Sequence, residues 1–315
     1  MYGDESADET KSRVFTIAGV VGTEAEWLLA GREWLRRTRG IPFHATDVES
    51  KDVRDDDRQK HKDNLKLYFD LTQVLAKSHL AGWAFSLDLQ DYHAVFPEIP
   101  DRDWAYYKCL SDLIGAATRT ARKFNGDPKE GDDIRLEFTF DSRLESNGTA
   151  GTLYSMMANH PDWRGSGVFD TKIAFESGRR EPRLEMGDLL AREAMKELDR
   201  QITQAPRPKR GARVALEETG KFHFVDRRRV YWDSLKAMVA RPEAAELMLE
   251  YERWLVRTGK VQNGKPVHTM QNWILFNAWI DNQDALRKKY DAALSSSAEA
   301  SDLPSAPPEP GEGRP

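Results

Sequence analysis

Three aspartates are the residues of this chain best suited to chemistry. Asp4 lies near the start of the chain, Asp141 closes the run Ile134–Asp141, and Asp188 lies inside Leu184–Ala191. Carboxylates that converge in one cleft bind hard divalent cations, and a pair of such ions can activate water, neutralise a phosphodiester and stabilise the departing oxyanion. Because the three aspartates are far apart in sequence, only a fold can bring them together.

Five segments have the composition of β-strands. The first contains Asp4, and a polar stretch joins it to the β-branched, apolar segment Val14–Val21, a pattern that predicts a hairpin. Gly82–Leu89 alternates apolar and polar residues at its centre, which is typical of a half-buried strand. Ile134–Asp141 and Lys172–Glu176 are predicted as the fourth and fifth strands.

Helical periodicity separates these strands. Thr23 and Glu26 form a capping-box pattern at the start of a helix predicted over Glu24–Arg37. The charged stretch 49–62 leads into a second helix, which begins near Leu65 and ends near Ser78. The remaining helices are predicted over about 101–124, 148–159, 184–201, 232–240, 243–257 and 270–293.

This order of elements predicts an α/β fold of the ribonuclease H-like type. Three antiparallel strands are extended by two parallel strands that follow crossover helices, so a mixed sheet is flanked by helices and followed by a helical C-terminal extension. The catalytic acids of that fold occupy the first strand, the end of the fourth strand and the last helix. Asp4, Asp141 and Asp188 fall on those three elements.

The predicted metal ligands are Asp4, Asp141, Asp188 and Glu185. Asp4 would bridge two ions, with Asp141 and Asp188 on either side, and oxygen ligands favour Mg²⁺ or Mn²⁺ over zinc. Glu185 shares a helix face with Asp188, so it is either a fourth ligand or a group that supports the ligands. Glu5 adjoins Asp4, but strand alternation sends its side chain to the opposite face.

His44 is the remaining candidate catalytic residue, with the role of protonating a leaving group or orienting water. The alternative for a lone histidine is a structural hydrogen bond. Structural alternatives also exist for the acids: Asp141 would end a strand at a turn, and Asp188 would pair with Arg192 on a helix surface. The coincidence of three acids on the three required elements favours the catalytic interpretation.

Composition bounds the function. The chain has 315 residues and a formal net charge of −5, which argues against a protein that coats nucleic acid indiscriminately. One cysteine, Cys109, and seven histidines without metal-finger spacing argue against thiolate or zinc-finger chemistry. The N-terminal stretch lacks the pattern of a secretory signal, and the apolar stretch Val14–Gly22 is too short to span a bilayer, so we expect a cytoplasmic location and no membrane partner.

Three regions are predicted along the chain. A ribonuclease H-like domain covers 1–203 with a helical insertion at about 23–80, and a second region, 204–294, contains basic residues followed by a helical C-terminal extension. The tail, 295–315, is rich in Ser, Ala, Pro and Glu and is predicted to be disordered. Between Arg200 and Arg229, here called the basic segment, nine basic residues stand against three acidic ones. Such a segment is a solvated linker or a phosphate-binding flap.

Several motifs resemble those of domain-of-unknown-function family 3800. Members carry a start like Tyr2–Asp8, a strand ending like Phe138–Ser142 and a closing motif like Leu184–Ala191, and Glu176–Ser177 is also similar to the family. The similarity covers about Met1–Gln201. It implies a ribonuclease H-like fold and a hydrolase or nuclease activity.

The chain departs from this family at three positions. Ala7 stands where members often have Gly, Glu185 where they often have Gln, and Gly187 where they often have Ala. Since Gly tolerates positive φ far better than Ala, the tight hairpin expected after the first strand is less certain here. Glu185 adds a charge that suits a metal site and is costly beside Asp188 without one.

These observations predict a divalent-metal-dependent phosphodiester hydrolase, a nuclease with nucleic acid as its substrate. The first alternative is a non-catalytic ribonuclease H-like module that binds nucleic acid or a protein partner through the basic segment and the C-terminal helices. The same helices are the expected contact of a homo-oligomer or of a protein partner. A second alternative, a sugar-kinase-like ATPase, requires glycine-rich phosphate loops after the first acid, and Asp8–Lys11 offers none.

Overall fold

The computed structural model describes residues 1–10, 12–49, 58–96, 102–125, 136–141, 151, 154–155, 169–176, 181–239, 242–262 and 265–266. Within these residues the strands are β1 (Tyr2–Ala7), β2 (Val14–Val21), β3 (Ala81–Asp88), β4 (Leu136–Asp141), β5 (Phe169–Glu176), β6 (Phe222–Arg227), β7 (Val261–Gln262) and β8 (Lys265–Pro266). The helices are α1 (Glu24–Thr38), α2 (Ala45–Glu49), α3 (Arg58–Lys77), α4 (Leu89–Val95), α5 (Arg102–Asn125), α6 (Pro182–Ile202), α7 (Gly211–Glu217), α8 (Arg229–Val239) and α9 (Pro242–Arg257).

One mixed sheet of six strands organises the described part of the chain, in the order β5-β4-β1-β2-β3-β6. β1 and β3 pair antiparallel with β2, whereas β4 pairs parallel with β1, and β5 pairs parallel with β4. The predicted antiparallel trio and its two parallel additions are therefore confirmed. The prediction of five strands was wrong by one, because β6 pairs parallel with β3 at the opposite edge.

Helices cover both faces of the sheet, which explains why β2 is apolar along almost its whole length. On one face, Ala18 and Val20 of β2 join a buried core with Trp34 of α1, Leu75 of α3 and Leu190 of α6. Neighbouring side chains on a strand point to opposite faces. On the other face, α5 packs against β2 and β3, and its Cys109 thiol donates to the Phe85 carbonyl oxygen.

Asp8 closes the hairpin between β1 and β2. Its Oδ1 accepts the backbone N–H groups of Ser12, Arg13 and Val14 at 3.0, 2.8 and 2.9 Å. Ala7 is the last residue of β1 and is not among the described residues with positive φ. The turn thus depends on an Asp side chain that replaces missing strand hydrogen bonds, and Ala7 fits it without strain.

The insertion between β2 and β3 contains α1, α2 and α3. α1 begins at the predicted capping box, in which Thr23 and Glu26 exchange hydrogen bonds, and ends at Arg39 in the left-handed conformation. The predicted start of the next helix, near Leu65, was too late, since α3 begins at Arg58. The charged residues from Arg58 onward are a helical part of α3 rather than an approach to it.

Several short elements were not predicted. α4 begins at Leu89, where the Asp88 carboxylate accepts the N–H groups of Gln90 and Asp91, and α7 lies in the basic segment. The predicted C-terminal helices 232–240 and 243–257 are confirmed as α8 and α9. The predicted helix 270–293 and the predicted disordered tail lie outside the described residues, as does most of 148–159.

The chain divides into two compact units, Met1–Glu250 and Tyr251–Pro315. β6 belongs to the sheet of the first unit, so the predicted domain boundary at residue 203 does not coincide with the boundary between these units. In the second unit, Tyr251 stacks on Trp254 with ring centroids 6.3 Å apart, and β7 pairs with β8. No helix in the described part of the chain has the length and apolar character needed to cross a bilayer.

Candidate active site

The pairing of β1 with β4 places Asp4 beside Asp141. Gly3 is the register partner of Phe140, so the two aspartates occupy the next position along both strands. Adjacent strands are separated by about 5 Å, and residues at the same level of parallel strands point to the same face. Asp4 and Asp141 are therefore neighbours on one face of the sheet, although 136 residues separate them in the sequence.

Helix α6 lies directly on β1 at this point. A Cβ added to Gly187 would be 3.2 Å from the Gly3 Cα and 3.3 Å from the Asp4 backbone nitrogen. The helix and strand backbones therefore touch where Glu185 and Asp188 flank Gly187. This close approach brings the carboxylates of α6 to the same end of the sheet as Asp4 and Asp141.

The four carboxylates, here called the carboxylate cluster (Asp4, Asp141, Glu185 and Asp188), are all buried, with exposed fractions between 2% and 7%. Tyr2 and Ala18 of this sheet face belong to the core beneath α6, and Asp4 shares their side of the sheet. The prediction that Asp4 rather than Glu5 points to this side agrees with the burial of Asp4. Asp188 is buried too, which does not fit the alternative of a surface ion pair.

Neutral N–H groups contact the two acids of α6. The Trp34 indole donates to Glu185 Oε2 at 2.7 Å, and the Phe43 backbone N–H also donates to Glu185. The Ala45 backbone N–H donates to Asp188 Oδ2 at 2.8 Å. Burial raises the pKa of Glu185, and the nearby charges of Asp188 and Glu181 act in the same direction, whereas the hydrogen bonds oppose it.

His44 lies beside this cluster, between the two residues whose N–H groups bind it. Its Nε2 is 4.0 Å from Asp188 Oδ2, and its side chain is 34% exposed. Its Nδ1 is 3.3 Å from Asp47 Oδ1 but has no hydrogen-bond partner among the residues that the structure describes. The imidazole thus has access both to solvent and to the buried acids, as the predicted proton donor requires.

Two carboxylates near the cluster were missed as site residues. Glu176 is the register partner of Asp141 on β5, and Glu181 caps α6 by accepting the Arg183 N–H. The charges of both glutamates act on Tyr2, which lies close to them. Burial has the largest effect and raises the pKa of the Tyr2 hydroxyl; the Arg183 charge lowers it, and the charges of Glu181 and Glu176 raise it. Glu176 ends a predicted strand in the same way as Asp141, and that shared position was the signal in the sequence.

The donor set of the carboxylate cluster consists of oxygen atoms alone, which suits Mg²⁺ or Mn²⁺. Among the described residues, however, no group of three or more His, Cys, Asp or Glu side chains is arranged to hold a metal ion. The fold therefore gathers the predicted acids on one face and at one end of the sheet without orienting them as a ligand set.

The basic segment was predicted to be a solvated linker or a phosphate-binding flap, and the structure shows it as a folded region with many ion pairs. It contains α7 and β6, and most of its charges are paired with carboxylates. The pairs are Arg200–Glu197, Lys209–Glu217, Arg210–Glu193, Arg213–Glu217, Arg227–Asp112 and Arg229–Asp233. Two of these pairs join different elements: Arg210, at the start of α7, binds Glu193 of α6, and Arg227 of β6 binds Asp112 of α5. The other pairs lie within one helix or at its start, so binding a phosphate with these side chains would still break existing ion pairs.

Comparison with known proteins does not classify this chain, so its class is defined by its fold. No family model, no curated protein and no solved structure matches this chain. The class that the described residues define is a mixed α/β protein whose six-stranded sheet is flanked by helices. The resemblance to family 3800 stays a prediction.

Proposed function

We propose that this chain is a divalent-metal-dependent phosphodiester hydrolase of the ribonuclease H-like type that acts on nucleic acid. The observation that carries the proposal is the convergence of Asp4 and Asp141 on adjacent strand ends beneath the helix that carries Asp188. The strand order β3-β2-β1-β4-β5 supports it, because it is the order in which an antiparallel trio is extended by two crossover connections.

Asp4, Asp141 and Asp188 would hold Mg²⁺ or Mn²⁺, with Glu185 as the predicted fourth acid. When bound, two such ions supply an activated water and stabilise charge on the departing oxygen. Burial of the carboxylates strengthens their attraction for a cation, since the effective dielectric constant is lower than in water. His44, partly exposed beside Asp188, donates a proton to the leaving oxygen.

Metal-dependent cleavage by the purified chain tests this proposal. Labelled single- and double-stranded DNA and RNA are incubated with Mg²⁺, Mn²⁺ or a chelator, using the wild type and Asp4→Asn. Asp63→Asn serves as the matched control, because Asp63 is an exposed carboxylate of α3 that accepts a hydrogen bond from Gln59. We expect cleavage that the chelator and Asp4→Asn abolish and that Asp63→Asn leaves unchanged.

Two results contradict the proposal. Cleavage that survives both the chelator and Asp4→Asn excludes the carboxylate mechanism. Binding of nucleic acid without cleavage, equal in the wild type and Asp4→Asn, favours the non-catalytic module instead.

A further inference from the structure

Glu185 has surroundings unlike those of a side chain that projects into an open cleft. It is 5% exposed, and its carboxylate accepts hydrogen bonds from the Trp34 indole, at 2.7 Å, and from the Phe43 backbone N–H. Both donors belong to the insertion between β2 and β3, which begins with α1. Glu185 therefore connects α6 to that insertion.

Trp34 is fixed in place by aromatic packing. It is fully buried, its ring meets Phe43 edge to face with centroids 5.5 Å apart, and Phe43 in turn lies 5.9 Å from Tyr68 of α3. Buried aromatic pairs of this geometry restrict one another's orientation. The indole N–H is thus aimed at Glu185 by packing, before any ligand is bound.

The backbone on both sides of His44 is held by α6. The Phe43 N–H donates to Glu185, and the Ala45 N–H donates to Asp188 Oδ2 at 2.8 Å. Glu185 and Asp188 are three residues apart, so they lie on one face of the helix. The segment Phe43–Ala45 consequently has two attachment points on α6, with His44 between them and its Nε2 4.0 Å from Asp188 Oδ2.

We propose that Glu185 is a positioning residue rather than a metal ligand: through Trp34 and the Phe43 amide it anchors the Phe43–Ala45 segment and holds His44 against Asp188. The consequence for cleavage rests on the proposed function, but the anchoring itself does not. A carboxylate with charge-assisted hydrogen bonds to two N–H donors is oriented toward them. The ions are then held by Asp4, Asp141 and Asp188.

Glu185→Ala, Trp34→Phe and Asp188→Asn separate the two roles. A positioning role predicts that Glu185→Ala lowers kcat roughly 10- to 100-fold, as loss of a supporting hydrogen bond does, while the affinity for Mn²⁺ measured by calorimetry stays close to that of the wild type. Asp188→Asn is expected to lower that affinity. Trp34→Phe removes the N–H donor, together with part of a buried ring, and is expected to change kcat in the same direction as Glu185→Ala.

Hydrogen exchange of the Phe43 and Ala45 amides gives a readout that needs no cleavage. Both amides are expected to exchange faster in Glu185→Ala and in Trp34→Phe than in the wild type, and Glu185→Gln, which keeps an oxygen acceptor for the indole, is expected to restore most of the protection. Circular dichroism checks that each variant is folded, and Trp34→Phe carries the test should Glu185→Ala not fold.

The outcomes distinguish the inference from the proposed function. Unchanged amide exchange in Trp34→Phe overturns the anchoring, whether or not the wild type cleaves nucleic acid. Loss of Mn²⁺ affinity in Glu185→Ala equal to that in Asp188→Asn overturns the positioning role and makes Glu185 a ligand. A wild type that neither binds Mn²⁺ nor cleaves contradicts the proposed function, while the exchange measurement still decides the anchoring.

Discussion

The carboxylate cluster and the basic segment are two charged regions of the molecule, and their charged side chains have different kinds of partner. In the basic segment, arginines and lysines face carboxylates, as in Arg210–Glu193 at 2.7 Å and Arg227–Asp112 at 3.1 Å. In the carboxylate cluster, the acids of α6 accept hydrogen bonds from neutral groups, the Trp34 indole and the Ala45 amide.

This difference affects how much negative charge each kind of contact leaves on a carboxylate. An ion pair cancels charge, whereas a neutral N–H donor orients a carboxylate and leaves its negative charge in place. Under the proposed function, the two acids of α6, Glu185 and Asp188, would contribute to an electrostatic field that attracts a cation. In the basic segment, despite its composition, most of the positive charges are paired with carboxylates.

The largest expected effect is that of Asp141→Asn on catalysis. Loss of one ligand charge is expected to lower Mn²⁺-dependent cleavage by at least about 100-fold. The free energy of unfolding is expected to stay close to that of the wild type, because asparagine keeps the size and shape of the buried side chain and one oxygen acceptor. Initial rates and urea unfolding measure the two quantities. A less stable variant with full activity would place Asp141 among the structural charges.

Arg210→Ala is expected to have the largest effect on stability. Glu193 is fully buried, and Arg210 donates to both of its carboxylate oxygens. Removal of the cation leaves a buried charge with only the Tyr68 hydroxyl as its remaining described donor, at a cost of about 3 kcal/mol in urea unfolding. Cleavage per folded molecule should not change. A loss of nucleic-acid affinity at unchanged stability would assign the basic segment a direct contact with substrate.

Asp8→Ala tests a buried acid that is structural. Burial acts to raise the pKa of Asp8, but hydrogen bonds from the Thr10 hydroxyl and from the Val14 and Arg13 amides lower it to about 2. Because this folded-state pKa lies below the ordinary value of 3.8, the stabilisation is present above that value and is lost as the pH falls toward 2. We expect Asp8→Ala to lower the free energy of unfolding at pH 7 by about 2 kcal/mol.

The pH dependence of unfolding is the control for Asp8→Ala. The difference in the free energy of unfolding between the variant and the wild type should shrink between pH 4 and 2, by most of the roughly 2 kcal/mol expected at pH 7. A difference that stays constant over this range would show that the side chain acts through packing and not through its charge.

Asp226→Asn should stabilise the chain by a smaller amount. Burial raises the pKa of Asp226, and the Arg213 charge only partly opposes this effect. Asp226 Oδ1 is buried, and no described residue donates a hydrogen bond to it. Since the folded-state pKa is raised, stability is lost as the pH increases from the unfolded toward the folded pKa. Asparagine avoids this cost, so the free energy of unfolding at pH 7 should rise by on the order of 1 kcal/mol, and the gain should vanish in acid. A destabilised variant at pH 7 would show that the charged form is needed.

The smallest effect is expected for Arg229→Ala. The pair Arg229–Asp233 joins two side chains that are each 53% exposed, one helical turn apart. Exposed pairs of this kind contribute less than about 1 kcal/mol, so thermal unfolding should change little. Nucleic-acid binding measured at low and high salt should also be unchanged. A reduced salt dependence would show that this arginine contacts phosphate.

The parts of the fold with local signals were predictable from the sequence. The capping box at Thr23 and Glu26, the apolar strand β2 and the periodic helix α6 depend on residues close together in the chain. The positions of Asp4, Asp141 and Asp188 on their elements followed from these patterns. The burial of all three aspartates and the common sheet face of Asp4 and Asp141 agree with the prediction, whereas the metal remains a proposal.

The features that were missed depend on contacts distant in sequence. β6 pairs with β3, about 140 residues earlier, and its polar residues His223, Asp226 and Arg227 concealed its apolar alternation. Trp34 meets Glu185 across 151 residues, so no spacing rule could link them. The first turns of α3 consist mainly of charged residues, because this helix packs against the core only further along the chain. Its first turns therefore do not need an apolar face.

Gly187 sets how far apart the acids of the helix and the acids of the strands can be. Its missing side chain lets the backbones of α6 and β1 meet, so the distance between the helix that carries Asp188 and the strand that carries Asp4 is determined by main-chain thickness and not by the bulk of a residue in between. A larger side chain at this position would push α6 away from β1 and would increase the distance between them without changing any acidic residue. The geometry of the candidate centre is thus governed by a residue that has no functional group of its own.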